Sequence, residues 1–197
     1  MNIYQQTIEK CAQSLAQHMQ GNRSNNQAII NYALQLVVFN TLVAVFTLIV
    51  ALLLGTFNTT LVALIASGSL RIFTGGHHLA NPLHCLVLTV ISLNIIGKLA
   101  VLLSLYATTT SVMIFIALVM GLALFFIIKN APVETPNRPI REGRRPGLRQ
   151  KGLKVWLFWC VVLVSLLLFA DKPMSQYILA VGLGIANQTI SISKIFK

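Results

Sequence analysis

Acidic side chains are nearly missing from this sequence: four Asp and Glu stand against 15 Lys and Arg in 197 residues. Charged residues of both signs make up only 10% of the chain, whereas soluble domains carry about 25%. A water-facing surface cannot be covered with so little charge. Cysteine is scarce as well. Cys11, Cys85 and Cys160 are odd in number and far apart, which excludes a disulfide framework. Residues 1–20 lack the apolar core of a cleavable signal peptide, being polar with isolated apolar positions. No internal repeat and no low-complexity stretch is visible, so solenoids and disordered linkers are excluded.

What the chain does have is apolar length. Hydrophobic residues make up 56% of it, and the mean hydropathy is +0.78. About 20 apolar residues cross the roughly 30 Å hydrocarbon layer as a helix, and the sequence offers several such runs. The expectation is an all-α, polytopic membrane protein forming a single integral membrane domain over 1–197, with six helical membrane segments and an N-terminal amphipathic surface helix. That surface helix covers 3–20, with Ile8, Cys11, Leu15 and Met19 at helical spacing. The segments are 29–54, 61–73, 83–106, 111–128, 155–170 and 174–193. The second contains Ser67, Gly68 and Ser69 and spans only if it runs on toward Gly76. The third is interrupted by Asn94 and Lys98. A turn is expected at 55–60, and Asp171-Lys172-Pro173 joins the last two segments.

Eight of the 15 bases fall between Lys129 and Lys154. Cytoplasmic loops are enriched in Lys and Arg, so this 129–154 loop is expected inside. Counting outward places both termini and 75–85 inside, with the turns near 55–60, 108–110 and Asp171 outside. Bases clustered beside spans suit a lipid surface or an acidic peptide. They point to no nucleic-acid partner.

The polar stretch from Arg71 to Cys85 holds three of the four histidines, His77, His78 and His84. Asn81-Pro82 reads as a helix start, with Asn81 as N-cap and Pro82 first. Cys85 then sits in the first turn, where the partial positive charge favours the nucleophilic thiolate. On one straight helix His78 and Cys85 would stand about 10.5 Å apart. A fold-back at Asn81-Pro82, permitted by Gly75 and Gly76, would bring imidazole and thiol together. Three readings of the cluster stay open: Cys/His catalysis, inert interfacial packing, and a metal site of His77, His78, His84 and Cys85. The metal site is weakened by the lack of a nearby carboxylate and of an H-E-x-x-H pattern. Cys160 reads as packed or lipid-facing, and Cys11 as buried against the membrane. Asn94 and Lys98, four apart, are expected on one interior face. They carry the rival functional reading: a small transporter whose polar path is lined by Asn94, Lys98 and the histidine cluster.

Gly75-Gly76-His77-His78 followed by Cys85, with Arg71 upstream, resembles the G-G-x-H…C signature of the AgrB (accessory gene regulator protein B) family. The stretch from Lys129 to Ile140 resembles that family's second signature, and Gly184-Ile-Ala-Asn-Gln188-Thr-Ile190 resembles its last helix. The likeness spans nearly the whole chain in order. It implies a membrane cysteine endopeptidase of Gram-positive quorum sensing that removes the C-terminal tail of an AgrD-like precursor peptide. The product of that cut would be closed into a cyclic autoinducing peptide. On this resemblance Cys85 is the nucleophile and His78 the general base, with Arg71, Gly75 and Gly76 supporting them. Arg138, Arg141, Arg144 and Arg145 would draw in the precursor's acidic tail. The resemblance also implies a homodimer; the charge-derived sidedness places the catalytic site on the cytoplasmic side of the cell membrane, and no metal or cofactor is expected.

Overall fold

In hydrocarbon a backbone must satisfy its own hydrogen bonds, and an α-helix does so within a single segment. The computed structural model is accordingly helical across the residues it describes: 3–17, 23–76, 82–134, 142–169 and 174–193. Among them the chain forms α1 (Ile3–Gln17), α2 (Arg23–Leu53), α3 (Phe57–Thr74), α4 (Pro82–Tyr106), α5 (Thr109–Asn130), α6 (Arg145–Phe169) and α7 (Ser175–Ile192). A 3-10 turn, Glu142–Arg144, leads into α6.

Five helices are long and apolar enough to cross a membrane, namely α2, α3, α4, α5 and α6. The sixth expected segment is occupied by a helix, α7, which carries Gly182, Gly184, Asn187, Gln188 and Thr189 and is not among those five. Packing accounts for this composition. α7 lies against α3, α4 and α5, with a smaller contact to α6, and ten of its 18 residues are buried. A helix surrounded by protein meets little lipid and needs small side chains more than greasy ones. Gly184 shows the need. A Cβ there would stand 2.6 Å from the Ala63 carbonyl oxygen of α3.

The chain divides into two units, Met1–Phe46 and Thr47–Lys197. In the first, α1 buries Ile8, Ala12 and Ala16 at four-residue spacing, while Cys11 and Leu15 are exposed. Of the stripe expected to face the membrane, Ile8 is packed in protein while Cys11 and Leu15 stay outside the packed face. An apolar side chain in a membrane protein is equally at home in lipid, so apolarity alone does not select the packed face. Met19 lies outside the described residues.

In the second unit, α6 is fastened by its tryptophans. Trp159 Nε1 donates to Ser69 Oγ of α3 at 2.9 Å, and Trp156 Nε1 donates to the Met120 carbonyl of α5 at 3.1 Å. The connections are shorter than expected. α2 ends in a Schellman arrangement, with Thr56 N–H bonded to the Ala51 carbonyl and Gly55 N–H to that of Leu52, and Gly55 at φ 67. The turn thus closes by Thr56 instead of running to Thr60. Thr108 and Ser111 exchange hydrogen bonds as a capping box that starts α5. The basic loop contracts as well. Because α6 begins at Arg145, the bases Arg145, Arg149, Lys151 and Lys154 stand on helical turns, where long cationic side chains can reach outward from a helix end.

Candidate active site

The polar stretch between α3 and α4 leaves α3 through a hydrogen-bonded turn and enters α4 at Pro82. At its start the chain turns sharply after Thr74. Gly75 N–H bonds back to the Arg71 carbonyl at 3.0 Å, and Gly75 itself takes φ 69 and ψ −150, a conformation that glycine reaches without penalty. The segment following α5 passes directly beside it. Val133 N–H donates to the Thr74 carbonyl at 2.9 Å, and Gly75 and Val133 form an isolated parallel bridge. A Cβ on Gly75 would meet Val133 O at 2.4 Å. Glycine is therefore required here twice over, by backbone angle and by room.

α7 closes the turn from the other side. Gln188 is 1% exposed. Its Nε2 donates to Thr74 Oγ1 at 2.9 Å and to the Gly75 carbonyl at 2.6 Å. Thr74 Oγ1 donates in turn to the Leu70 carbonyl at 2.9 Å, which leaves a lone pair to accept from Gln188 and fixes the orientation of the amide. The Oε1 of Gln188 is buried and finds no hydrogen-bond partner among the described residues. Gly76 lies next along the chain, where a Cβ would stand 2.6 Å from Ser191 Oγ and 3.6 Å from Gln188 Nε2. Asn130 Nδ2 caps the Ile192 carbonyl of α7 at 2.9 Å, and Arg149 Nε of α6 donates to the Ala131 carbonyl at 2.9 Å. Two chain segments distant in sequence, the one after α5 and the end of α7, thus converge on the two glycines, and Asn130 and Arg149 tie those segments in place.

At the other end, α4 begins at Pro82 as expected, and Cys85 falls in its first turn, half-buried and outside any disulfide. The Cys85 carbonyl accepts from Thr89 Oγ1 at 2.7 Å. His84 is exposed and Arg71 half-buried. His77, His78 and Asn81 lie outside the described residues, as do Arg138 and Arg141. Among the described residues no group of three or more His, Cys, Asp or Glu side chains could hold a metal.

Of the four arginines expected to meet a substrate tail, Arg144 is exposed, whereas Arg145 pairs with Glu134. Within the protein Cys11 is exposed and Cys160 half-buried. The interior face expected through Asn94 and Lys98 is split. Asn94 is 4% exposed, with its Nδ2 donating to the carbonyls of Thr47 and Val90 at 3.2 and 2.8 Å, while Lys98 is exposed. The packed sector of α4 carries Leu93, Asn94, Gly97 and Ala100. It is too narrow to include Lys98, which turns outward. Sequence reasoning gave no role to Gln188, Thr74, Val133 or Arg149. The signal was faint: two stretches of resemblance, 129–140 and 184–190, whose meeting point only the fold reveals.

Comparison with known proteins bears on the same segments. The Accessory gene regulator B family model matches residues 8–192. Accessory gene regulator protein B of Staphylococcus intermedius is 27% identical over 191 residues, covering 96% of this chain and 94% of that protein. An AgrB-like protein of Clostridium perfringens is 26% identical over 180 residues, covering 87% and 83% respectively. No solved structure matches the chain. With the matched region running from α1 to the end of α7, the chain belongs to the AgrB family, the accessory gene regulator B proteins.

Proposed function

We propose that this protein is a membrane cysteine endopeptidase that removes the C-terminal tail of an AgrD-like precursor peptide and promotes closure of the remainder into a cyclic autoinducing peptide. The observation that carries this reading is the pair of flanks around the glycine and histidine motif: a hydrogen-bonded Gly75-Gly76 turn at the end of α3, and the first turn of α4 bearing half-buried Cys85. Such a frame favours a thiol and an imidazole from one short segment acting together.

The reaction follows from those groups. His78 takes the Cys85 proton as Sγ attacks the precursor carbonyl. The C–N bond breaks, the proton passes to the leaving amine, and the tail departs. The acyl group remains as a thioester on Cys85. A thiol or hydroxyl within the substrate then attacks that thioester, the ring closes, and the Cys85 thiol is regenerated. Excluding water lets cyclisation compete with hydrolysis, and a site at membrane depth serves that end. Exposed Arg144 and the bases at the start of α6 favour capture of an acidic tail. In this reading α7 completes six crossings, both termini and Cys85 face the cytoplasm, α1 rides on the membrane surface, and the protein works as a homodimer.

The rival transporter reading finds less support. Asn94 binds backbone carbonyls of its own helix and of Thr47, and Lys98 points elsewhere, so the two do not share a polar path. The deciding experiment incubates membranes containing the protein with synthetic precursor. Cleavage is expected to vanish in Cys85→Ala and in His78→Ala while a Cys11→Ser/Cys160→Ala double variant stays active. Normal processing by Cys85→Ala would remove the basis of the proposal.

A further inference from the structure

The chain has only four carboxylate side chains, Glu9, Glu134, Glu142 and Asp171, and one of them occupies an arginine close to the glycine turn. Arg145 Nη2, in the first turn of α6, donates to Glu134 Oε1 in a salt bridge. Arg145 stands seven residues before Gly152, two helical turns and about 10.5 Å along the axis. Gly152 is where α6 meets that turn, since a Cβ there would lie 3.1 Å from Thr74 Cγ2. Glu134 comes from the other side, directly after Val133, whose backbone bridges Gly75.

The ion pair is not what holds this arm of the chain. Val133 N–H donates to the Thr74 carbonyl, and Arg149 Nε donates to the Ala131 carbonyl. The Arg145 and Glu134 side chains are 46% and 35% exposed. Pairs in such a setting contribute little to stability, and dissolved ions or other charged groups compete with them. Around them the start of α6 gathers Arg144, Arg149, Lys151 and Lys154. A guanidinium among like charges gains from a carboxylate, and here the chain supplies its own.

We propose that Glu134 is a built-in stand-in for an acidic side chain of the peptide substrate: it occupies Arg145 in the unbound protein, and a carboxylate of the precursor's tail displaces it. This rests on the precursor-processing reading above and deepens it, naming the arginine that receives the tail and the group that competes for it. One carboxylate replaces another, so no proton moves and Arg145 stays paired. A peptide without a carboxylate has nothing to offer the guanidinium, so the contact selects acid-bearing tails. Ala131 and Val133 keep their hydrogen bonds during the exchange. The Gly75 turn is therefore undisturbed, and the effect falls on binding.

The test measures binding of fluorescent synthetic precursor to the full-length Cys85→Ala protein in nanodiscs of neutral lipid. Turnover and anionic lipid are thereby kept out of the reading. Glu134→Gln removes the competitor and should tighten binding about two- to fivefold. Glu142→Gln removes the same charge three residues from Arg145 and should change Kd by less than about 1.5-fold. Arg145→Gln should weaken binding about threefold or more, and in that background Glu134→Gln should give no gain. A precursor whose tail acids are replaced by amides should bind the parent more weakly and gain nothing from Glu134→Gln. Both side chains lie at the surface, so these variants are expected to insert. A Kd that Glu134→Gln leaves unchanged or raises would make the pair a structural tie and overturn the proposal. A gain matched by Glu142→Gln, or kept with the neutral tail, would assign the effect to net charge or to a loosened arm, and would also overturn it. Failure of the underlying reading is distinguishable, because then the precursor binds none of the variants or Cys85→Ala still cleaves it.

Discussion

Replacing Gly75 by alanine tests the anchored turn through a single methyl group. At φ 69 and ψ −150 an alanine sits in a region that side-chained residues avoid, at a cost of about 1–3 kcal/mol. Its Cβ would lie 2.4 Å from Val133 O. That oxygen is backbone and cannot swing aside. Relief requires Val133 to move, which breaks its N–H bond to the Thr74 carbonyl, worth about 0.5–1.5 kcal/mol. Together these come to about 2–4 kcal/mol, raising the opening constant of the turn by roughly 30- to 1,000-fold at about 1.4 kcal/mol per decade. The packing of α7 against α3, α4 and α5 does not pass through that methyl, so insertion and overall folding should persist. Precursor cleavage by equal amounts of membrane-inserted protein should fall at least tenfold. Two controls separate clash from backbone strain. Gly55→Ala shares a positive φ of 67 but meets nothing within 4 Å, and Gly68→Ala meets nothing and lies in a helix. The first should lose about 1–2 kcal/mol of local stability with little change in cleavage, and the second should be neutral or slightly stabilised. Cleavage by Gly75→Ala within threefold of the parent would refute the argument that the turn positions the site.

Gly184→Ala should drive α7 away from the Ala63 carbonyl and lower the thermal midpoint in detergent by several degrees, whereas Gly121→Ala, with open space around it, should leave the midpoint unchanged. Neutralising Arg138, Arg141, Arg144 and Arg145 together should raise KM for the precursor. Added salt should mimic this, since screening at 0.15 M acts over about 8 Å; an unchanged KM would reduce these bases to membrane anchors. Single cysteines at Gly143 and Thr109, in a background without other reactive cysteines, should be labelled from opposite sides of intact cells. Labelling of Gly143→Cys from outside would overturn the proposed sidedness.

How legible this fold was depended on the range of the interactions. Helix content was read from apolar runs, and the start of α4 at Pro82 from a local rule about proline at the first helical position. Helix limits set by long side chains were harder. The bases 145–154 looked like loop because charge usually marks one, yet Leu, Arg, Gln and Lys are good helix formers, and α6 absorbs them. Facing was harder still. Asn94 and Lys98 are a helical turn apart and looked paired, but the packed sector of α4 is narrow enough to bury one and expose the other. Cys85 and the glycine pair stood out by residue type and spacing. Gln188 did not, because its meaning lies in hydrogen bonds across 113 and 114 residues. No local pattern encodes a contact of that range.

The central claim, acyl transfer through Cys85, is tested most directly by trapping the intermediate. Membranes containing the protein would be mixed with synthetic precursor whose internal nucleophile has been removed, quenched in acid, and digested for mass spectrometry. Without that nucleophile the thioester cannot close into a ring. The account predicts an adduct carrying the N-terminal part of the precursor on Cys85, released by hydroxylamine and lost in Cys85→Ala. A tail released at the normal rate with no adduct on Cys85, or with the adduct on another residue, would contradict it.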